Sequence, residues 1–268
     1  MSSLNQQINW LLRDKYHNKI TPAAKKDIAH LHQGEPLDYI IGWKEFLGYK
    51  IDLSLRPLIP RPETEFWVEQ AIKSIQNQRH YTDKVSCLDL FSGSGCIGIA
   101  ILKHIPQAKV DFADIDKNCL KQIGVNLKVN KISPSRYRII PTNIFKPLLK
   151  TGNYKSKMVS EVEPLKTYHN IFANPPYIGL KNKTKLQKSV LKYEPHQALF
   201  SRQNGLYFID QTLRQAKKYL KPNGQLFLEF SPEQKNAITV LLKKYQYAKW
   251  RFNKDQFNRW RWLIVKID

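Results

Sequence analysis

Cysteine is scarce in this chain of 268 residues, and the three present, Cys87, Cys96 and Cys119, are odd in number and lack Cys-x-x-Cys spacing. Such a set supplies neither a disulfide framework nor a zinc site, so no metal is expected and the thiols read as free, buried groups. Long apolar runs are missing too, which argues against a membrane-spanning helix. Residues 1–15 are polar and amphipathic and lack the apolar stretch of a secretory leader, so a cytoplasmic protein without membrane attachment is expected. Acidic residues are few: 22 Asp and Glu stand against 44 Lys and Arg, a formal net charge of +22. A field of that size attracts nucleic acid or acidic partners. No base-reading motif accompanies it, however, and lysines spread over solvated faces, with at most weak association with nucleic acid or the ribosome, are the simpler reading.

What is present suits a folded chain of one large domain with a small appendage, since 42% of the residues are hydrophobic and six are Trp. Residues 1–34 show helical spacing, and Thr21-Pro22 marks the start of a second short helix. Between Tyr39 and Leu58 the pattern turns aromatic and β-branched, with Gly42 and Gly48 as punctuation, so residues 35–60 are read as a β-hairpin linker. Residues 61–268 then alternate. Phe66–Ile75, Cys96–His104, Lys117–Val129, Leu206–Tyr219 and Glu233–Tyr245 read as helices. Val85–Phe91, Lys109–Asp114, Arg138–Ile140, Asn170–Ala173 and Gln225–Phe230 read as buried strands. Such alternation predicts an α/β protein with a mostly parallel sheet covered on both faces. Tyr247–Phe252 and Trp260–Ile267 are placed as a terminal hairpin on the sheet edge, and the lysine-rich stretch 146–170 as a surface loop. A monomer is expected.

Two places carry chemistry. Asn174-Pro175-Pro176-Tyr177 follows the apolar run Ile171-Phe172-Ala173 and so sits at a strand end. The two prolines remove backbone donors and leave neighbouring carbonyls as free acceptors, while Asn174 adds a side-chain acceptor. A planar NH2 group could be held there by both hydrogens, with the Tyr177 ring over its plane. The second place is the strand Leu88-Asp89-Leu90-Phe91, which feeds Ser92-Gly93-Ser94-Gly95 and opens a helix. Its glycines allow close approach of a ligand, and Asp114, nineteen residues after Gly95, ends the next strand where a carboxylate could accept ribose hydroxyls. The string through Gly98 also fits a dinucleotide turn. Asp89 would repel a pyrophosphate and accept from an ammonium group, which favours S-adenosylmethionine as the ligand.

Together with Glu35-Pro36, Tyr39-Ile40-Ile41-Gly42, Glu45-Phe46, Leu58-Ile59-Pro60-Arg61-Pro62-Glu63-Thr64-Glu65 and Tyr193-Glu194-Pro195, these motifs make the chain resemble the HemK/PrmC-type protein-(glutamine-N5) methyltransferases. The resemblance runs from about Glu35 to the C-terminus. It implies a Rossmann-like class I methyltransferase fold with a mostly parallel seven-stranded sheet. It also implies transfer of a methyl group from S-adenosylmethionine to the glutamine of the Gly-Gly-Gln loop of peptide chain release factors, the implied protein partner. Asp89, Phe91, Ser92, Gly93, Ser94, Gly95, Asp114, Ile115, Asn143, Ile144 and Asn174 would then line the donor site. Asn174, Pro175, Pro176 and Tyr177 would hold the acceptor, with Arg61, Glu63 and Glu194 ordering the cleft. Methylation of a ribosomal-protein glutamine or of adenine N6 in DNA or RNA are the rival activities, and a non-catalytic basic binding module is the rival of another class.

Thr142-Asn143-Ile144-Phe145 departs from the Ser-Asp-Trp-Phe usual in that family. Asn143 accepts a hydrogen bond without charge, and Ile144 packs without stacking. Weaker donor binding is predicted. Calorimetry should show the donor dissociation constant tighten on Asn143→Asp with Ile144→Trp, and a constant that hardly moves overturns this reading.

Overall fold

Helix start signals in the first thirty residues act where the sequence places them. In the computed structural model, which describes residues 3–77, 84–147 and 166–268, the Ser3 side chain caps α1 (Leu4–Tyr16) and the Thr21 side chain caps α2 (Pro22–His32). Each hydroxyl accepts a backbone N–H that the first helical turn cannot satisfy. Tyr39–Ile41, read from sequence as the start of a hairpin, instead belongs to a short helix, α3 (Leu37–Ile41), ended by Gly42 at φ +90°. The reason is packing: Ile40 completes a small core with Leu11 and Leu31. The hairpin itself is narrower, β1 (Trp43–Phe46) against β2 (Tyr49–Asp52).

The main body follows in chain order as α4 (Pro62–Gln76), β3 (Val85–Leu90), α5 (Cys96–His104), β4 (Ala108–Asp114), α6 (Lys117–Val129), β5 (Tyr137–Asn143), β6 (Lys146–Pro147), β7 (Tyr168–Ala173), β8 (Ile178–Gly179), α7 (Lys188–Tyr193), α8 (His196–Leu199), β9 (Phe200–Ser201), α9 (Tyr207–Gln215), β10 (Leu220–Glu229), α10 (Lys235–Lys244), β11 (Lys249–Lys254) and β12 (Trp260–Lys266). Among the described residues the sheet has eight strands in the order β11-β12-β10-β7-β3-β4-β5-β6. The central strands β10, β7, β3, β4 and β5 run parallel, and β11, β12 and β6 are antiparallel additions. Seven strands were expected; the eighth is the two-residue β6, too short to leave a pattern. Of the loop expected over 146–170, residues 148–165 lie outside the described residues, while both ends are strand.

Both faces of the sheet are covered, as the burial of successive residues along β3 and β7 requires. One core joins α4, α5 and α6 to the sheet and takes in Phe46 and Ile51 of the hairpin. The other lies under α9 and α10. Trp67 of α4 stacks on Phe172 and Trp262, at ring separations of 6.4 and 6.2 Å, and so fastens that helix across three neighbouring strands. Burial pushes the thiols of Cys87 and Cys96 up to about 12, which makes them inert core groups, while Cys119 is only half-buried. No helix among the described residues is long and apolar enough to cross a membrane.

The small β8–β9 pair, parallel through Ile178↔Phe200 and Gly179↔Ser201, ties the chain after Asn174 to the segment before α9. Gly205 makes this possible. Its φ is +92°, and an added Cβ would lie 2.0 Å from the Tyr177 carbonyl oxygen and 2.5 Å from Gln234 Nε2. Gly205→Ala should therefore lose on the order of 3 kcal/mol in a denaturant titration. A midpoint equal to that of the parent would show that the turn relaxes freely.

Candidate active site

Chain reversal between β3 and β7 creates the cleft. From β3 the chain runs outward through β4 and β5 and then returns to β7 on the other side, so the loops after β3 and β7 diverge above a crevice at the strand ends. Leu90 pairs with Ala173 across the two strands. The glycine turn and Asn174 thus begin at one level.

The turn is built from within. Ser92 Oγ donates to the Asp89 carbonyl at 2.6 Å and accepts the Ala113 N–H at 2.9 Å, while Gly95, at φ +79°, leads into α5. Asp114 Oδ2 accepts the Gly93 N–H at 2.8 Å, and its Oδ1 accepts that of Asp116 at 2.9 Å. The carboxylate at the end of β4 therefore braces the turn and still faces the cleft with spare lone pairs. Asp89 is wholly buried beneath, its Oδ2 accepting the Gly98 N–H at 2.9 Å.

Above the turn lies a cavity of about 480 Å³ whose wall includes Phe91, Gly93, Asp114, Ile115, Asn143 and Ile144, together with Asn174 and Pro176. Of the residues expected at a donor site, Asp89, Ser92, Ser94 and Gly95 support this wall from behind and do not line it. Two observations point to a polar, partly aromatic ligand. Thr142 Oγ1, buried in the same wall, has no hydrogen-bond partner among the described residues, and Ile115 stands 53% exposed at the rim. Phe91 and Ile144 hold positive φ, +60° and +59°, which for a β-branched residue is strain localised at the cavity. A nucleoside with an amino-acid tail matches this lining.

A second cavity, about 490 Å³, adjoins the first. Arg61, Glu63, Pro175, Tyr177, Glu229, Arg259 and Arg261 line it, and Leu58, Asn174 and Ala198 belong to both walls. Pro175 faces one chamber and Pro176 the other. Two ion pairs hold charged groups of this wall: Arg61 with Glu194 at 2.6 Å, and Arg259 with Glu63 at 2.8 Å. Glu194 is buried and also accepts the Ile59 N–H at 3.2 Å, so it clamps the strap that carries Leu58. The other end of that strap is held by Tyr39, whose hydroxyl donates to the Pro57 carbonyl at 2.6 Å, and by an Arg56–Glu35 ion pair.

Sequence reasoning missed the group at the floor of the second cavity. Glu229 ends β10 and is almost fully buried, with Oε2 accepting from Thr64 Oγ1 at 2.7 Å and Trp67 Nε1 at 2.6 Å, and Oε1 accepting from the Tyr177 hydroxyl at 2.9 Å. Asn174 Nδ2 donates to Thr64 Oγ1 at 3.2 Å. The signal was a lone carboxylate at the end of an apolar strand, Leu226-Phe227-Leu228-Glu229, which cannot be buried without partners.

Residues 72–258 match the family model described as methyltransferase small domain. The release factor glutamine methyltransferase of Lactococcus lactis is 29% identical over 263 residues, 97% of this chain and 88% of that protein. That of Flavobacterium psychrophilum is 32% identical over 242 residues, 90% of this chain and 78% of that protein. Among solved structures, the hMettl16 catalytic domain in complex with the MAT2A 3'UTR hairpin 6 superposes with a TM-score of 0.58 at 16% identity, covering 82% of this chain and 76% of that one. The T. thermophilus 16S rRNA methyltransferase RsmC, in complex with AdoMet and guanosine, gives 0.55 at 14% identity over 84% of this chain and 50% of that one. At such identities these two share the fold.

Burial pushes the Asp89 carboxyl well above its ordinary range, against the opposing Gly98 N–H, and burial raises Asp114 as well. The folded state then holds those protons more tightly than the unfolded chain. Stability of the free protein therefore falls as pH rises from the ordinary carboxyl range near pH 4 toward the raised folded value. Asp89→Asn should flatten that fall and raise Tm near neutral pH by about 2–4 °C. Parallel pH profiles for the two proteins would exclude Asp89 as the source.

Proposed function

The chain belongs to the release factor glutamine methyltransferases, and from that premise we propose that it transfers a methyl group from S-adenosylmethionine to the side-chain amide nitrogen of a release-factor glutamine. The observation that carries this reading is the shared position of Asn174 in the walls of two adjoining cavities, one suited to a nucleoside and the other opening on acceptor groups. In this reading Asp114 takes the ribose hydroxyls, Thr142 and Asn143 offer polar contacts to the base, and Phe91, Ile115 and Ile144 pack against it. Asp89 acts from behind, holding the first turn of α5 through Gly98. The cytoplasm, where release factors act on the ribosome, is the proposed place of work.

A carboxamide nitrogen is a poor nucleophile, because its lone pair is delocalised into the carbonyl. Position therefore has to supply most of the rate. Asn174 Oδ1 and the Pro175 carbonyl accept the two amide hydrogens and stabilise the positive charge that develops on nitrogen. Tyr177 limits where the amide plane can lie, and the strap at Leu58, clamped by Glu194, closes the cleft from above. When bound, the donor supplies an electrophilic methyl whose sulfur keeps the C–S electron pair, while the glutamine nitrogen forms the new N–C bond and releases one proton to water. No side chain has to act as a general base.

Labelled methyl donor, incubated with separate pools of release factor, ribosomal protein and nucleic acid, tests the substrate directly. Label is expected in release factor, and label in one of the other pools alone would overturn the proposal. Asn174→Ala should lower kcat by about 100-fold or more while donor affinity stays within about threefold. Near-normal turnover in that variant would remove Asn174 from the chemistry.

A further inference from the structure

Asn174 can serve as an acceptor only if its amide stands the right way round, because a side-chain amide presents an oxygen on one side and two donors on the other. The geometry beneath the cleft decides this. Trp67 Nε1 can only donate, and it lies 2.6 Å from Glu229 Oε2, so that oxygen is an acceptor. Thr64 Oγ1 lies 2.7 Å from the same oxygen and has a single proton to give. Once that proton is committed to Glu229, only lone pairs of the Thr64 hydroxyl remain for the atom of Asn174 that sits 3.2 Å away. A donor is accepted there and an oxygen is repelled.

We propose that Glu229 is a positioning residue which, through the Thr64 hydroxyl, fixes the orientation of the Asn174 amide and so presents Oδ1 to the acceptor nitrogen. The inference rests on the glutamine methyltransferase reading above. The same side chain takes the Tyr177 hydroxyl at 2.9 Å, so one buried carboxyl group orders both polar members of the acceptor turn. Thr64 and Glu229 are 2% and 1% exposed, which keeps water from substituting for either link.

Thr64→Val keeps the shape and deletes the hydroxyl, whereas Thr64→Ser keeps the hydroxyl. Using release factor and S-adenosylmethionine, Thr64→Val should lower kcat about 10- to 100-fold, with the donor dissociation constant from calorimetry within about twofold of the parent. Thr64→Ser should recover kcat to within about threefold. In the Asn174→Ala background, Thr64→Val should cost nothing further, since no amide is left to orient. Should Thr64→Val not fold, Thr64→Ala, which also deletes the hydroxyl, is carried through the same cycle with the same expectation. Unchanged kcat in the folded variant, or a loss that persists in full without Asn174, overturns the relay. A parent enzyme that methylates no glutamine overturns the underlying reading instead, so the two failures are distinguishable.

Discussion

Register between two parallel strands governs the rest of this molecule. Because Leu90 of β3 lies opposite Ala173 of β7, the residues that follow each strand emerge side by side, one into the glycine turn and the other into Asn174-Pro175. A slip of one residue would invert every side chain along β7 and carry Phe172 off the Trp67 stack. The apolar faces of the sheet therefore enforce, at a distance, the spacing on which the cleft depends. The helices help to hold the sheet, and the sheet sets the distance between the two walls.

Local signals carried far. Val85–Phe91 and Lys109–Asp114 were legible as strands because their apolar residues cluster in short runs between turn signals, and Thr21-Pro22 was legible as a helix start because its capping bond spans three residues. The glycine turn and Asn174-Pro175-Pro176-Tyr177 were legible for the same reason: each is contiguous. What escaped is what the chain assembles from far apart. Thr64 meets Glu229 across 165 positions, and Ile59 meets Glu194 across 135. Nothing in the spacing of either pair announces a contact. Short elements escaped for another reason: β6, β8 and β9 have two residues each, fewer than any periodicity needs.

Carboxylates recur as organisers. Glu194 holds the strap over the cleft, Asp114 holds the glycine turn, and Glu229 holds the acceptor turn, each through donors supplied by other segments. Burial disfavours the charged form of Asp114 and Glu229, and their hydrogen bonds oppose that cost only while every partner stays in place. Rigidity follows from the same arithmetic, since losing one donor exposes a charge that the interior cannot accommodate.

Adjacent prolines facing opposite chambers have an evolutionary consequence. Of these two cavities, Pro175 borders only the one floored by Glu229 and Pro176 only the one beside the glycine turn, with Asn174, Leu58 and Ala198 shared between them. Mutations that reshape one chamber leave the lining of the other largely alone. A lineage can thus exchange one target for another amide or amine of similar planarity while its cofactor chemistry is inherited intact. Selection is free to rewrite the front of the enzyme without relearning the back.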